Sequence, residues 1–288
     1  MWVTMKRLDG TLVAEKIRET LRDKVSILAR RKPLLVIVWV GTNRASETYI
    51  RAKEKACHGV GIAFALIHLN ESITSSALLE HIRALNQRPA VDAILVQLPL
   101  PPHIDTDRAI QTIDPTKDVD GLHPINQGKL LLGDPSGFCP CTPAGILALL
   151  SHYKIDPQGK HVVIAGRSNI VGKPLAALLM QKRAGCNATV TLIHSASTHI
   201  EHLTKEADIL IIAIGKRHWL KAPMVKEGAI VIDVGINQDE KPNIVGDVDF
   251  DNVAPKCAWI TPVPGGVGPM TIAMLMHNTV RSYENRLL

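Results

Sequence analysis

Seven short apolar runs, alternating with helix-patterned stretches, leave this sequence few folds to choose from. The first three are Leu34 to Val40, Ile62 to Leu69 and Ala93 to Leu98, separated by helical patterns at Ser46 to Val60 and Thr74 to Asn86. The other four are His161 to Ala165, Ala188 to Ile193, Ile209 to Ile214 and Ala229 to Val234, with helical stretches such as Lys173 to Lys182 between them. A strand that is apolar along its whole length has no face left for water. It needs cover on both sides, and intervening helices give parallel sheets flanked by helices. The fold class is therefore α/β, in two parts. A length of 288 residues favours two domains over one. Gly133-Asp134-Pro135-Ser136-Gly137, with Cys139 to Pro143 after it, supplies a turn-rich junction. Beyond it, Thr142 is expected to cap a helix that starts at Pro143.

Several function classes drop out. No apolar run is long enough to span a bilayer. Met1 to Gly10 lack the apolar stretch and cleavage site of an export signal, which predicts a cytoplasmic protein; Met5 is a second candidate start. The cysteines, Cys57, Cys139, Cys141, Cys186 and Cys257, are odd in number and irregularly spaced, as reduced thiols would be. Cys139-Pro140-Cys141 has no second pair to complete a metal site, so no metal is expected. The net charge of +6 could draw nucleic acid, but only 3% of residues are aromatic and no basic cluster is interleaved with them. A diffuse positive field suits anionic small molecules equally well.

The second series of strands opens with Val162-Val163-Ile164-Ala165, then Gly166-Arg167-Ser168-Asn169-Ile170-Val171-Gly172-Lys173-Pro174. A glycine turn from a first strand into a helix is where a pyrophosphate meets free backbone N–H groups. The spacing is not G-x-G-x-x-G, and an ordinary glycine turn would look much the same. The next strand sharpens the picture. NAD sites place a carboxylate near its end, but here stands His194-Ser195-Ala196-Ser197-Thr198, with no acid until Glu201. Hydroxyls together with Arg167 suit a 2′-phosphate, which points to NADP. Ile236, in Gly235-Ile236-Asn237 after a later strand, sits where the nicotinamide end would lie, or is a plain core isoleucine.

On a helix over Ala45 to Val60, Ala45, Tyr49, Ala52, Lys53, Ala56 and Val60 share one sector, with Glu47, Arg51, Glu54 and His58 opposite. Lys53 is the only charged residue on the face expected to pack inward. Lysine is rarely buried without a partner, although it also snorkels past a helix edge to water. Tyr49 lies one turn earlier on the same face. Gln97 ends the run from Ala93, on the side where ligands approach such sheets. Asp120, within Asp114-Pro115-Thr116-Lys117-Asp118-Val119-Asp120-Gly121, is either part of a solvated acidic loop or an acceptor for ring N–H and amino groups.

Taken in order, these segments resemble the bifunctional methylenetetrahydrofolate dehydrogenase/methenyltetrahydrofolate cyclohydrolase family. They run from Tyr49-Ile50-Arg51-Ala52-Lys53 through Gln97-Leu98-Pro99-Leu100-Pro101, Pro115 to Gly121, Gly166 to Pro174 and Asp233 to Asn237, to Pro262-Val263-Pro264-Gly265-Gly266-Val267-Gly268-Pro269-Met270-Thr271. The resemblance implies two Rossmann-like domains facing each other across a cleft, usually in a homodimer. These would be a catalytic, folate-binding domain over residues 1–141, rejoined by 271–288, and an NADP-binding domain over 142–270. Carried over by position, Lys53 is the catalytic lysine with Tyr49 and Gln97 beside it, and Asp120 binds the pterin ring. Gly166, Arg167, Ser168, Ser195 and Ile236 contact NADP. Gly265, Gly266, Gly268 and Pro269 form a turn whose missing side chains admit the folate substrate. Two departures stand out. Asn43-Arg44 replaces the commoner Asx-Pro before the lysine helix, and Ala165 replaces valine before the cofactor glycine. An NADP-dependent dehydrogenase acting on another small substrate, or a non-catalytic NADP- or folate-binding protein, are the competing expectations.

Overall fold

In the computed structural model, which describes residues 5–28, 31–238 and 243–287, the expected apolar runs become strands. Met1, one of the two candidate starts, lies outside the described residues. The chain forms β1 (Lys6–Arg7), α1 (Gly10–Ser26), β2 (Leu34–Val40), α2 (Arg44–Val60), β3 (Ala63–Leu69), α3 (Ser75–Asn86) and β4 (Ala93–Val96). Then follow α4 (Thr106–Thr112), α5 (Pro124–Leu132), α6 (Cys141–His152), β5 (His161–Ala165), α7 (Gly172–Leu179), β6 (Thr189–Ile193), α8 (Ile200–Lys205), β7 (Ile209–Ile212) and β8 (Ile230–Asp233). The last elements are β9 (Asn237–Gln238), β10 (Ile244–Val245), α9 (Phe250–Val253), β11 (Trp259–Ile260) and α10 (Val267–Asn285).

Two compact units result, Glu15–Cys141 with Ile272–Leu288, and Met1–Ala14 with Thr142–Thr271. The first holds a parallel sheet ordered β3-β2-β4. Its central strand shows why a continuous apolar run was needed. Leu35, Ile37 and Trp39 pack with Ile50, Cys57 and Val60 of α2 and with Leu275, Met276 and Val280 of α10. Val36, Val38 and Val40 point the other way, onto Leu78, Leu79, Ile82 and Leu85 of α3. Each such side chain contributes about 1.5–3 kcal/mol by leaving water. Thr74 caps α3 by accepting from the Ala77 N–H at 3.2 Å. At its far end, buried Lys117 donates to Leu85 O, Asn86 O and Arg88 O, closing the carbonyls a helix leaves open.

The second unit holds a six-stranded parallel sheet ordered β1-β11-β8-β7-β5-β6. Because β5 lies between β6 and β7, chain order reverses there, and ligands of open α/β sheets bind at such a point. The described residues of the chain's start differ from expectation. β1 pairs with β11, so this stretch groups with the six-stranded sheet instead of with the rest of residues 1–141. Two-residue strands carry no periodic pattern that a sequence could betray. Likewise α6 begins at Cys141, so Thr142 lies inside it and is not its cap; the Thr142 hydroxyl meets that of Thr271 at 3.0 Å. Among the described residues, Cys57, Cys141, Cys186 and Cys257 are free thiols, and no helix is long and apolar enough to cross a membrane.

Candidate functional site

Asn43 starts the helix that carries the lysine: its Oδ1 accepts from the Ser46 N–H at 3.0 Å, with Arg44 as the first helical residue. The unusual Asn43-Arg44 therefore makes a regular cap. The buried face of α2 comprises Ser46, Ile50, Ala56, Cys57 and Val60, while Ala52 is exposed. The inward face is thus rotated from the expected sector toward Ile50 and Cys57; the side chain of Ala45 lies outside the described set. Tyr49 and Lys53 are left half-buried on its boundary. A boundary position suits an amine that must meet both a protein partner and a substrate.

Lys53 Nζ donates to Gln97 Oε1 at 2.9 Å. Gln97 is buried, and its backbone N–H donates to Val38 O at 2.8 Å, one residue past the end of β4. Its Nε2 donates to Leu98 O at 2.7 Å. A carbonyl can only accept, so this bond fixes the amide orientation and turns Oε1 toward the lysine. Tyr49 lies on the same boundary, but among the described residues no hydrogen bond joins it to Lys53.

Asp120 arrives from the other edge of β4. The Ile94 N–H donates to Lys117 O at 2.8 Å, and Ile94 forms a parallel bridge with Asp118. The chain turns after that bridge, with the Gly121 N–H donating to Asp118 O at 3.1 Å, and the charge of Asp120 acts on Lys53. Buried Asp118 accepts from the His123 N–H and from Asn126 Nδ2, both at 2.8 Å, and so shapes the loop. Asn278 of α10 holds it from behind, donating through Nδ2 to Val119 O at 2.9 Å and Cys139 O at 3.1 Å.

The electrostatics follow from this placement. Burial pushes the Lys53 amine below its ordinary value of 10.5, and the charge of Asp120 opposes that drop. The Cys141 thiol, fully buried in the same neighbourhood, is pushed well up by burial and by Asp120, so it stays protonated. Burial also raises the Tyr49 phenol. Sequence reasoning set Cys141 aside as part of an incomplete metal pair and missed Asn278; both act through contacts distant in sequence.

The other candidate residues lie in the six-stranded unit. Gly166 has φ +121, and a Cβ there would overlap the carbonyl of Ala213; one at Gly172 would overlap that of Gly166. These glycines let the turn close tightly between β5 and α7. Within it the Ser168 hydroxyl accepts from the Val171 N–H at 3.1 Å, and Arg167 and Ser168 are exposed. Ser195 is exposed just after β6. Ile236 is 48% exposed and so is no core isoleucine; Ile214 after β7 (39%) and Ile170 after β5 (41%) are exposed too. Exposed isoleucines at the carboxyl ends of three neighbouring strands, a tight glycine turn and hydroxyls without a carboxylate after β6 fit a dinucleotide carrying a 2′-phosphate.

The glycine turn before α10 differs from expectation. Gly265, at φ +102, accepts through its carbonyl from the Gly10 N–H at 2.9 Å and the Thr11 N–H at 3.1 Å. A Cβ at Gly266 would lie 2.5 Å from Pro262 O, so that glycine serves chain packing. Gly268 and Pro269 sit in the first turn of α10, where proline is tolerated. Of the three glycines, only Gly268 leaves open space where a side chain would stand.

Comparison with known proteins agrees with this geometry. Residues 8–120 match the family described as tetrahydrofolate dehydrogenase/cyclohydrolase, catalytic domain, and residues 140–287 match its NAD(P)-binding domain. The chain is 50% identical over 285 residues to a Bifunctional protein FolD of Campylobacter hominis, covering 98% of this chain and 99% of that protein. It resembles the crystal structure of the FolD methylenetetrahydrofolate dehydrogenase/cyclohydrolase of Campylobacter jejuni with TM-score 0.95, at 50% identity over 98% of this chain and 100% of that one. The Trypanosoma brucei enzyme, solved with NADP and an inhibitor, matches with TM-score 0.91 at 38% identity over 97% of both chains. Sequence order and fold thus agree, and the chain belongs to the tetrahydrofolate dehydrogenase/cyclohydrolase family, carrying both its catalytic and its NAD(P)-binding domain.

Proposed function

We propose that this protein oxidises 5,10-methylenetetrahydrofolate with NADP and hydrolyses the resulting 5,10-methenyl compound to 10-formyltetrahydrofolate, with Lys53 moving the proton in the second step. The three-stranded unit is the folate side and the six-stranded unit the NADP side. The observation that carries the reading is the Lys53–Gln97 contact of 2.9 Å on a half-buried helix boundary, with the charge of Asp120 acting on the same amine.

Bound NADP supplies the hydride acceptor for the first step. Arg167, Ser168 and Ser195 hold its phosphates, the backbone at Gly166 makes room for them, and Ile236 faces its nicotinamide end. Loss of hydride leaves a cation shared by two substrate nitrogens. An ammonium beside it would oppose its formation, so a lysine whose pKa is lowered by burial favours the step. Neutral Lys53 donates one N–H to Gln97, which leaves its lone pair free for water. Water attacks the methenyl carbon and gives one proton to Lys53, which returns it to the ring nitrogen; the carbon–ring nitrogen bond then breaks as the hydroxyl becomes the formyl carbonyl, and the hydroxyl proton leaves to solvent. Tyr49 helps to hold the water in line. Asp120 accepts from the pterin N–H and amino groups, and Gly268 leaves space for the substrate. The enzyme works as a cytoplasmic homodimer without nucleic acid or membrane partners, as the family resemblance implies. Light scattering on the purified protein checks its mass.

The test is a spectrophotometric assay with methylenetetrahydrofolate, run with NADP and NAD in parallel and following both the methenyl and the formyl products. Turnover with NADP that yields both products is expected. Tight cofactor binding without turnover would leave a binding protein as the better reading.

A further inference from the structure

The carboxyl edge of the six-stranded sheet is held together by two buried carboxylates to which the sequence assigned no role. Asp247 is fully buried, and its Oδ2 accepts from the Ile214 N–H at 2.8 Å and the Gly215 N–H at 2.9 Å. Its Oδ1 accepts from Asn237 Nδ2 at 2.9 Å. One side chain thus ties the loop after β7 to the segment after β8, at the residue that follows Ile236. Asp233, at the end of β8, is buried as well. Its Oδ1 accepts from the N–H groups of Gly235 and Asp247, both at 3.0 Å, and its Oδ2 from the Val248 N–H at 2.9 Å. A Cβ at Gly235 would overlap the Asp247 carboxylate, and one at Gly246 would overlap that of Asp233. The loops and the two acids interlock.

Buried carboxylates are costly unless nearby donors satisfy them. Here the donors are backbone N–H groups of the segments that carry the exposed Ile214 and Ile236. We infer that Asp247 is a positioning residue for hydride transfer: through the Ile214, Gly215 and Asn237 bonds it fixes the wall against which the nicotinamide end of NADP rests. The inference rests on the proposed placement of NADP at this sheet edge. It separates the two activities of the enzyme, because the hydrolytic step needs Lys53, Gln97 and Asp120 in the other unit and no hydride acceptor.

The experiment measures both activities of Asp247→Ala, Asp247→Asn, Asn237→Ala and Arg167→Ala. For Asp247→Ala, a rise in the NADP KM of about tenfold or more, a fall in dehydrogenase kcat and a raised ratio of cyclohydrolase to dehydrogenase are expected. Asp247→Asn should regain most of the loss. Its amide oxygen still accepts from Ile214 and Gly215, and Asn237, turned over, accepts from its new NH₂ group. Equal loss of both activities in Asp247→Ala, or an unaltered NADP KM, overturns the inference. If Asp247→Ala does not fold, Asn237→Ala decides. It keeps the backbone bonds and should raise the NADP KM about threefold, whereas an unaltered KM overturns the inference. Arg167→Ala separates the two layers of argument. If it leaves the NADP KM unaltered, the placement of the cofactor fails, and the inference with it. If it raises that KM while Asp247→Ala does not, the placement stands and the positioning role alone fails.

Discussion

The lysine site and the dinucleotide site are made of different materials. Around Lys53 the working contacts are between side chains: an amine on a glutamine, a carboxylate nearby, and a buried thiol and amide behind them. Around Gly166 and Ile236 they are mostly backbone. Missing side chains allow a tight turn, and carboxylates gather N–H groups from several loops. The first site depends on protonation state, so the identity of a few atoms matters most. The second depends on chain path, so shape matters most. Substitutions should respect that division.

The largest expected effect is at the lysine. Lys53→Met keeps the length of the side chain but removes the proton carrier, and should lower cyclohydrolase activity about 10²- to 10⁴-fold. Hydride transfer should fall by much less, as both assays on one preparation will show; near-normal cyclohydrolase activity would end the assignment. The pH profile sharpens the same point. A base works when deprotonated, so cyclohydrolase activity should rise with pH through the lowered pKa of Lys53 and level off below the ordinary 10.5. A rise centred at or above that value would show that burial does not tune the amine.

Gly166→Ala tests the opposite kind of site. The new methyl group would overlap the Ala213 carbonyl on a backbone with φ +121. The strain should cost about 3 kcal/mol of stability and open the turn. Dehydrogenase activity should fall about a hundredfold, with Lys53-dependent hydrolysis less affected. A cyclohydrolase loss as deep as the dehydrogenase loss, in protein that melts normally, would break the proposed division.

The two kinds of site were unequally legible. Lys53 was visible because a charge on an apolar helical face is conspicuous whatever the exact rotation of that face. Ile50 and Cys57 turned the face without moving the lysine off it. Gln97 was visible as the polar end of an apolar strand. Asp233 stood in a family-matching segment without a role, and Asp247 drew no attention, because their partners are mostly backbone N–H groups that no pattern encodes. Asn278 likewise meets Val119 and Cys139 only after α10 has returned to the first sheet. The glycines before α10 were read as room for substrate, yet Gly266 answers to Pro262 of its own chain. Continuous strands were easy to locate; β1 and β11 were too short to show.

A smaller effect separates the sites by acid stability. Burial raises the Asp233 carboxyl from 3.8 to about 6, despite the N–H groups it accepts from. A carboxyl whose folded value is raised stabilises the fold while protonated. Its contribution is full below about pH 4 and is lost as pH rises through about 6, amounting to roughly 3 kcal/mol at most. Asp233→Asn, which cannot titrate, should therefore differ from wild type in the slope of Tm against pH within that window. Parallel slopes would show that the carboxyl is not raised.

The smallest effect concerns the one departure from the family pattern that touches the lysine helix. Asn43 has φ −62 and ψ 115, an extended conformation that a residue before proline readily adopts. Arg44 occupies the first helical position, where proline is well tolerated because its missing N–H has no partner within the helix. The capping bond from Ser46 N–H to Asn43 Oδ1 does not involve residue 44. Arg44→Pro should thus leave the cap and the approach of Lys53 to Gln97 intact, and by restricting the unfolded chain should add about 0.4–1 kcal/mol of stability. A rise in Tm of a few degrees at equal cyclohydrolase kcat is the expected result. A fall in kcat would mean that the entry to α2 sets the position of Lys53 more finely than its cap suggests, and would give the lysine site some of the dependence on chain path that otherwise marks the dinucleotide site.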